Sequence, residues 1–239
     1  MSEAEFKKYA KRGAYHWEQV SGNPFKANAF VKARYEHCVR LLEQAMGTLN
    51  GKKVLDMGCG DGALTYLLSR RGAQAFGIDP SEIAIQYARQ MHQQRGSNAE
   101  FAVRSGYESG FDDGTFDAVV STEVIEHVQE PVRMLEEIRR ILKPGGSALV
   151  STPIRLTEEP MDPEHVVEWF PSEFRKLVAS VFPAHVYSRS HPTLWSELQG
   201  RAKGLRILMS LLSTVHNPFF TGRGWKLYDL QYVLATKAH

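Results

Sequence analysis

The feature that most limits the fold of this chain is a rhythm. Strand-length apolar runs recur at "KVLDM" (53–57), "QAFGI" (74–78), "AEFAV" (99–103), "FDAVVS" (116–121) and "SALVST" (147–152), with helical patterns between the first three and between the last two. Alternation of strand and helix means parallel strands joined by right-handed crossovers, hence an open α/β sheet covered on both faces. Residues 27–47 place Ala29, Phe30, Ala33, Val39, Leu41, Leu42 and Met46 at helical spacing, so an amphipathic helix precedes the first strand. Further on, "PSEFRKLVASVF" (171–182) reads as a helix, "AHVYSRS" (184–190) as a strand and "LQYVLATK" (230–237) as a last strand. A helical insertion of about forty residues separates those two strands, far longer than an ordinary connection.

Composition narrows the function classes. At 239 residues, 43% hydrophobic and 23% charged, the chain can bury one substantial core, and a single domain over 1–239 is expected. A formal charge of +2 announces no phosphate-binding surface, which makes nucleic acid a poor partner without excluding it. The opening "MSEAEFKKYAKRGAYHW" lacks the apolar run of a signal peptide, and no stretch approaches the ~20 apolar residues that span a bilayer. Cys38 and Cys59 make neither a disulfide framework nor a zinc cluster. A cytoplasmic protein is the expectation.

The segment "VLDMGCGDGA" (54–63) is an apolar strand that breaks on Asp56 and continues through Gly58, Cys59, Gly60 and Gly62. Bare backbone at the carboxyl end of a parallel strand is where open α/β sheets bind small molecules. Two ligands suit it. Gly58, Gly60 and Ala63 satisfy the dinucleotide pattern, with Asp79 at the end of the second strand for ribose hydroxyls. Asp56, two residues before the first glycine, would meet a diphosphate with an uncompensated negative charge, and so favours a cationic ligand. S-adenosylmethionine carries an ammonium and a sulfonium and still needs the ribose carboxylate.

"VLDMGCGDG", "GIDPS", "FDAVVSTEVIEHV" and "LKPGGSALVSTP", in that order and spacing, resemble the class I S-adenosylmethionine-dependent methyltransferases. The resemblance covers residues 50–155 well and the end of the chain weakly. It implies a three-layer sandwich around a mostly parallel seven-stranded sheet, with the last strand antiparallel and a helical insertion before it. It divides the domain into an amino-terminal lid or helical segment (1–48), a cofactor-binding core (49–155) and acceptor-side and carboxyl-terminal elements (156–239). It also implies that Asp56, Gly58, Cys59 and Gly60 hold the methionine part, that Asp79 takes both ribose hydroxyls, and that the loop after the third strand brackets adenine, with Ile78 and Pro80 beside Asp79 as the opposite apolar wall. This chain departs from the family there, with Ser105, Gly106 and Tyr107 where an acid is common. The Ser105 hydroxyl can meet the adenine amino group and the Tyr107 ring can cover the base, or Tyr107 is an ordinary half-buried loop aromatic.

"STEVIEHV" follows the fourth strand, where a methyl acceptor would face the sulfonium. As a helical turn it would project Glu123, Glu126 and His127 to one side at i, i+3 and i+4. His165, in "MDPEHVVEWF" after the fifth strand, would reach the same edge. The set resembles the metal ligands of the small-RNA 3'-terminal 2'-O-methyltransferases and the pattern in ubiquinone-pathway O-methyltransferases. That resemblance implies Mg2+ or Mn2+ held by Glu123, Glu126, His127 and His165. His127, aided by Glu126, also reads as a metal-free catalytic base, Glu123 as a group orienting the cofactor, and the set as structural alone.

Tyr15, His16, Trp17 and Phe25, around a Gly/Asn/Pro turn, read either as a lid over the cofactor or as core-capping aromatics. Residues 195–230 can line the acceptor pocket, join a homodimer or rest on a membrane surface. The expected function is methylation of a hydroxyl on a small metabolite or glycan. The competing readings are an RNA terminal-ribose methyltransferase, a non-catalytic S-adenosylmethionine-binding partner and a nicotinamide dehydrogenase.

Overall fold

The computed structural model describes residues 8–157, 162, 164–220 and 225–238. Two short helices, α1 (Lys8–Arg12) and α2 (Tyr15–Gln19), lead into the long α3 (Ala29–Met46), whose start is capped by the Asn28 side chain accepting from the Phe30 amide. Then come β1 (Lys53–Met57), α4 (Ala63–Arg70), β2 (Gln74–Asp79), α5 (Glu82–Gln93), β3 (Glu100–Val103), β4 (Phe116–Thr122), α6 (Pro131–Ile141) and β5 (Leu142–Pro153). The last third holds α7 (Pro171–Ala179), β6 (His185–Pro192), α8 (Thr193–Arg201), α9 (Lys203–Leu212) and β7 (Tyr228–Thr236).

The seven strands form one sheet in the order β3-β2-β1-β4-β5-β7-β6, parallel except for β7, which runs against both neighbours. The expected architecture is therefore present, including the helices that precede the reversed strand. Differences lie at element ends: β5 extends back to Leu142 through the Pro-Gly-Gly stretch, and β6 and β7 are shifted by a residue or two.

From β1 the chain winds to β2 and β3 on one side and to β4 and β5 on the other. Right-handed crossovers then place α4 and α6 on opposite faces. One core layer packs Val39 and Leu42 of α3 and Leu64 and Leu68 of α4 beneath the sheet. The other packs Met134, Leu135 and Ile138 of α6 and Phe174 and Val178 of α7 above it. Each such buried side chain contributes about 1.5–3 kcal/mol relative to exposure. The winding reverses between β1 and β4, so their carboxyl ends diverge and leave a crevice there, the place where doubly wound sheets take ligands. Among the described residues no helix is long and apolar enough to cross a membrane.

Candidate active site

The turn from β1 into α4 is built on left-handed backbone: Gly58, Gly60 and Gly62 have φ of 79°, 54° and 79°. L side chains pay for that region, and space forbids them as well. A Cβ on Gly58 would lie 2.4 Å from Val124, and one on Gly60 would fall on the Tyr9 hydroxyl. The Gly58 and Cys59 amides donate to the Ile78 carbonyl at 2.8 and 2.9 Å, which pins the loop to the end of β2. Cys59 is a buried free thiol whose pKa burial pushes far up, so it packs and does not react.

Asp56 lies beneath this loop rather than on it, 1% exposed, with Oδ2 accepting from the Thr65 hydroxyl of α4 at 2.7 Å. Burial, opposed by that hydrogen bond and aided by Asp79 and Asp61, pushes its pKa up to about 7. Asp79 is half-buried at the end of β2, with Oδ2 accepting from the Gly60 amide at 2.9 Å and Oδ1 from the Ser81 amide at 2.8 Å. A carboxylate accepts about four hydrogen bonds, so ribose hydroxyls can join these two. Pro80 beside it is exposed. After β3, Gly106 approaches Met57 at the end of β1, and the Ser105 hydroxyl accepts from the Tyr107 amide at 3.2 Å. The Tyr107 hydroxyl accepts from the Gln129 and Glu130 amides at 3.0 and 3.2 Å, tying the half-buried ring to the start of α6.

At the acceptor edge the expected helical face does not form. Glu123 takes a left-handed φ of 55°, which ends β4, and only Ile125–His127 make a turn, of 3₁₀ type. The Glu123 carboxylate consequently turns to the Arg34 guanidinium of α3 at 3.7 Å and to the Ser151 hydroxyl at 3.1 Å. Glu126, His127 and His165 do converge, their ligand atoms lying within 4.8 Å of one another and their two rings 4.9 Å apart.

This trio has unusual electrostatics. Glu126 is wholly buried and neither carboxylate oxygen has a well-formed hydrogen bond among the described residues; the Thr152 hydroxyl eases the charge without one. Burial and then the neighbouring Glu123 push its pKa far up. His127 Nδ1 lies 3.1 Å from the Glu164 carbonyl, which can only accept, so Nδ1 carries the proton and Nε2 the lone pair. Burial, partly offset by that bond, holds its pKa below the usual imidazole range. His165 Nδ1 lies 2.6 Å from the buried Glu168 carboxylate, which orients the second ring in the same manner. Long-range contacts hold His165 in place. The Val166 and Val167 amides donate to the Glu126 carbonyl, Ile154 pairs with Trp169, and the buried Gln231 side chain of β7 donates to the Pro153 and Trp169 carbonyls.

The amino-terminal segment closes over the glycine loop. The His16 amide donates to Asp61 Oδ2 at 2.9 Å, Trp17 Nε1 donates to the Asp61 carbonyl at 2.6 Å, and Lys8 of α1 pairs with Glu164 at 2.5 Å. Trp17 and Tyr15 take part in this closure, whereas Phe25 stands 65% exposed, outside it. A cleft of about 590 Å³, lined by Tyr66, Ser69, Arg95 and Glu100, lies at the amino ends of β2 and β3, the edge opposite this site.

Five residues at the site escaped the sequence reading. Asp61 sits in plain view within "GCGDG", and Glu168 follows His165 by one helical turn's spacing. Tyr9, Arg34 and Thr65 reach the site from helices and carry no local signal.

This sheet order with its single reversed strand, around an acid-and-glycine turn at the switch point, is the fold of the class I S-adenosylmethionine-dependent methyltransferases. Residues 55–150 match the family described as methyltransferase domain. The ubiquinone biosynthesis O-methyltransferase of Alkalilimnicola ehrlichii is 38% identical over 116 residues, which cover 46% of this chain and 44% of that one. The Roseobacter denitrificans protein of the same name is 32% identical, with 57% of each chain covered, and the Pseudomonas aeruginosa one 29% identical, with 79% of each covered. The chain thus spans about half the length of the first two relatives. Among solved structures, Haemonchus contortus phosphoethanolamine N-methyltransferase 2 in complex with S-adenosyl-L-methionine superposes with a TM-score of 0.73 at 20% identity, covering 100% of this chain and 60% of that one. The donor set suits S-adenosylmethionine: the left-handed glycines put bare backbone at the crevice, with the Asp56 carboxyl beneath the loop and Asp79 beside it.

Proposed function

We propose that this protein methylates an oxygen of a small metabolite, with a divalent ion, Mg2+ or Mn2+, held by Glu126, His127 and His165. The observation that carries this reading is the wholly buried Glu126 carboxylate without a well-formed hydrogen bond, set against two imidazoles whose Nδ1 atoms are already engaged. A bare buried carboxylate is costly, and a cation or an acceptor hydroxyl is what it lacks. Glu168 on His165 and the Glu164 carbonyl on His127 are the outer partners that metal-binding histidines commonly have. The relatives' name, ubiquinone biosynthesis O-methyltransferase, supports an oxygen acceptor.

Bound S-adenosylmethionine would supply a methyl group already activated on a sulfonium, and a divalent ion held by Glu126, His127 and His165 would supply Lewis acidity toward the acceptor hydroxyl. The chain's residues do the rest. The backbone of Gly58 and Gly60 seats the methionine part, Asp79 takes the ribose hydroxyls, and Ser105, Gly106 and Tyr107 border the adenine opposite Pro80. Asp56 offsets the positive charge from below the loop. The lid through Asp61 excludes water, and placement in line is the main requirement of the transfer. With an ion present, His127 Nε2 and one Glu126 oxygen would be its ligands and the other Glu126 oxygen would take the acceptor's proton; without an ion, His127 Nε2, kept neutral by burial, takes that proton with Glu126 beside it. Glu123, paired with Arg34, fixes the end of β4.

The test is product formation from S-adenosylmethionine on a panel of catechols, vicinal diols and phenols, with and without chelator. O-methyl product that disappears on chelation and returns with Mg2+ or Mn2+ is the expected outcome. Product that ignores chelator would replace the ion with His127 acting alone. Cofactor binding with no product on any acceptor would make the chain a non-catalytic partner.

A further inference from the structure

We propose that α9 and the chain around it form a docking surface for an anionic lipid bilayer. The helix is turned with its apolar side outward. Met209 packs with Ala29, Ala33 and Phe219, and the Ser210 hydroxyl donates to the Ala27 carbonyl at 2.9 Å, so these residues face the protein. Leu205, Leu208, Leu211 and Leu212 face solvent, Leu208 and Leu212 at 50% and 52% exposure, and Val215 just beyond the helix is 93% exposed. Leu205, Leu208, Leu212 and Val215 follow one another at three- and four-residue steps, which makes a single row. Exposed Phe25 lies beside them, its carbonyl accepting from the Arg206 guanidinium at 3.4 Å. A contiguous apolar surface of this kind marks an interaction site.

Charge selects the partner. Between Glu197 and Asp229 the sequence carries Arg201, Lys203, Arg206, Arg223 and Lys226 and no carboxylate, in a protein whose 29 cations and 27 acids otherwise nearly cancel. Arg201 and Lys203 are exposed at the start of the leucine row, and Lys226 is exposed between Trp225 and the 60% exposed Leu227. Leucines with a tryptophan and a cationic rim suit the boundary between headgroups and acyl chains, where the apolar groups enter and the cations stay with lipid phosphates. A second copy of this chain fits worse. A two-fold interface would set these cations against themselves with no carboxylate from 198–228 to pair. The surface hangs on residues 25–29, at the start of the α3 helix that carries Arg34 to Glu123, so it flanks the acceptor edge of the sheet.

The experiment is co-sedimentation of the full chain with vesicles of phosphatidylcholine alone and of phosphatidylcholine mixed equally with phosphatidylglycerol. Binding to the anionic vesicles, weakened by high salt, is expected. Leu208→Asp with Leu212→Asp should lower partition at least about tenfold. Arg201→Gln and Lys203→Gln should each lower it about fivefold on anionic vesicles and leave phosphatidylcholine unchanged. Circular dichroism and S-adenosylhomocysteine binding report that the variants stay folded, since all four side chains are exposed. The proposal is overturned if the wild-type chain pellets with neither vesicle, or if the leucine variant pellets as well as the wild type. A dimer in sedimentation velocity that the leucine variant splits, without vesicle binding, overturns it in favour of a self-interface.

Discussion

The cofactor edge and the acceptor edge of this sheet meet at the ends of β1 and β4, yet they are assembled in different ways. At the first, residues 56–65 and 78–81 bond chiefly to one another: the Gly60 amide to Asp79, the Gly58 amide to Ile78, the Thr65 hydroxyl to Asp56. At the second, Glu126 and His127 from the end of β4 meet His165 and Glu168 from a segment some forty residues later, held there by Gln231 of β7. The glycine-turn edge is largely a local backbone device, whose one poorly bonded buried oxygen, Asp61 Oδ1, faces the His16 ring of the lid. The acceptor edge is a long-range assembly that keeps a buried carboxylate poorly satisfied, as functional sites do at a cost to stability.

If the contrast holds, its sharpest consequence is at Glu126. Glu126→Gln should lower kcat/KM for an oxygen acceptor by about 10²–10⁴, while raising the melting temperature above neutral pH, because a buried charge is removed. A variant with unchanged turnover would break the contrast. Next, Glu168→Gln should cost about 10–100-fold in turnover or in the Mn2+ concentration for half-activity, with cofactor affinity unmoved, since it holds His165 and the Asp162 amide on the acceptor side. A variant that instead loses S-adenosylhomocysteine binding in calorimetry would show the two edges to be one unit.

On the cofactor side, Gly60→Ala forces a side chain into φ of 54° against Tyr9. That should weaken S-adenosylhomocysteine binding about tenfold, at about 1–2 kcal/mol for the left-handed backbone. The remaining effect is on pH. The unfolded Asp56 carboxyl ionises near 3.8, whereas in the folded protein it keeps its proton up to about 7. The folded state therefore binds more protons across that window, and stability should fall as pH rises through it, then level off except for a further decline from Glu126. Chemical denaturation from pH 4 to 8 measures this, and Asp56→Asn should flatten the slope.

Most of the core was legible because a parallel sheet buried on both faces demands apolar runs, and a tight turn under a ligand demands glycine at positive φ. Both demands are met by neighbours in sequence. The Glu123, Glu126 and His127 spacing was legible as residues and misleading as geometry, since the regular helical face it suggests gives way to a left-handed Glu123 whose carboxylate turns to Arg34. Asp61 was in view, but its bonds to the lid were not. Phe25 reads as a capping aromatic and stands in solvent beside α9.

The alternation of strand and helix, the glycine turn and the two acids beside it follow from short-range pattern, because each is enforced by residues a few positions apart. The partner of Glu123, the orientation of both imidazoles and the outward face of α9 depended on tertiary contacts between segments far apart in the chain. Such contacts come from how helices and strands pack, and periodicity carries no record of that.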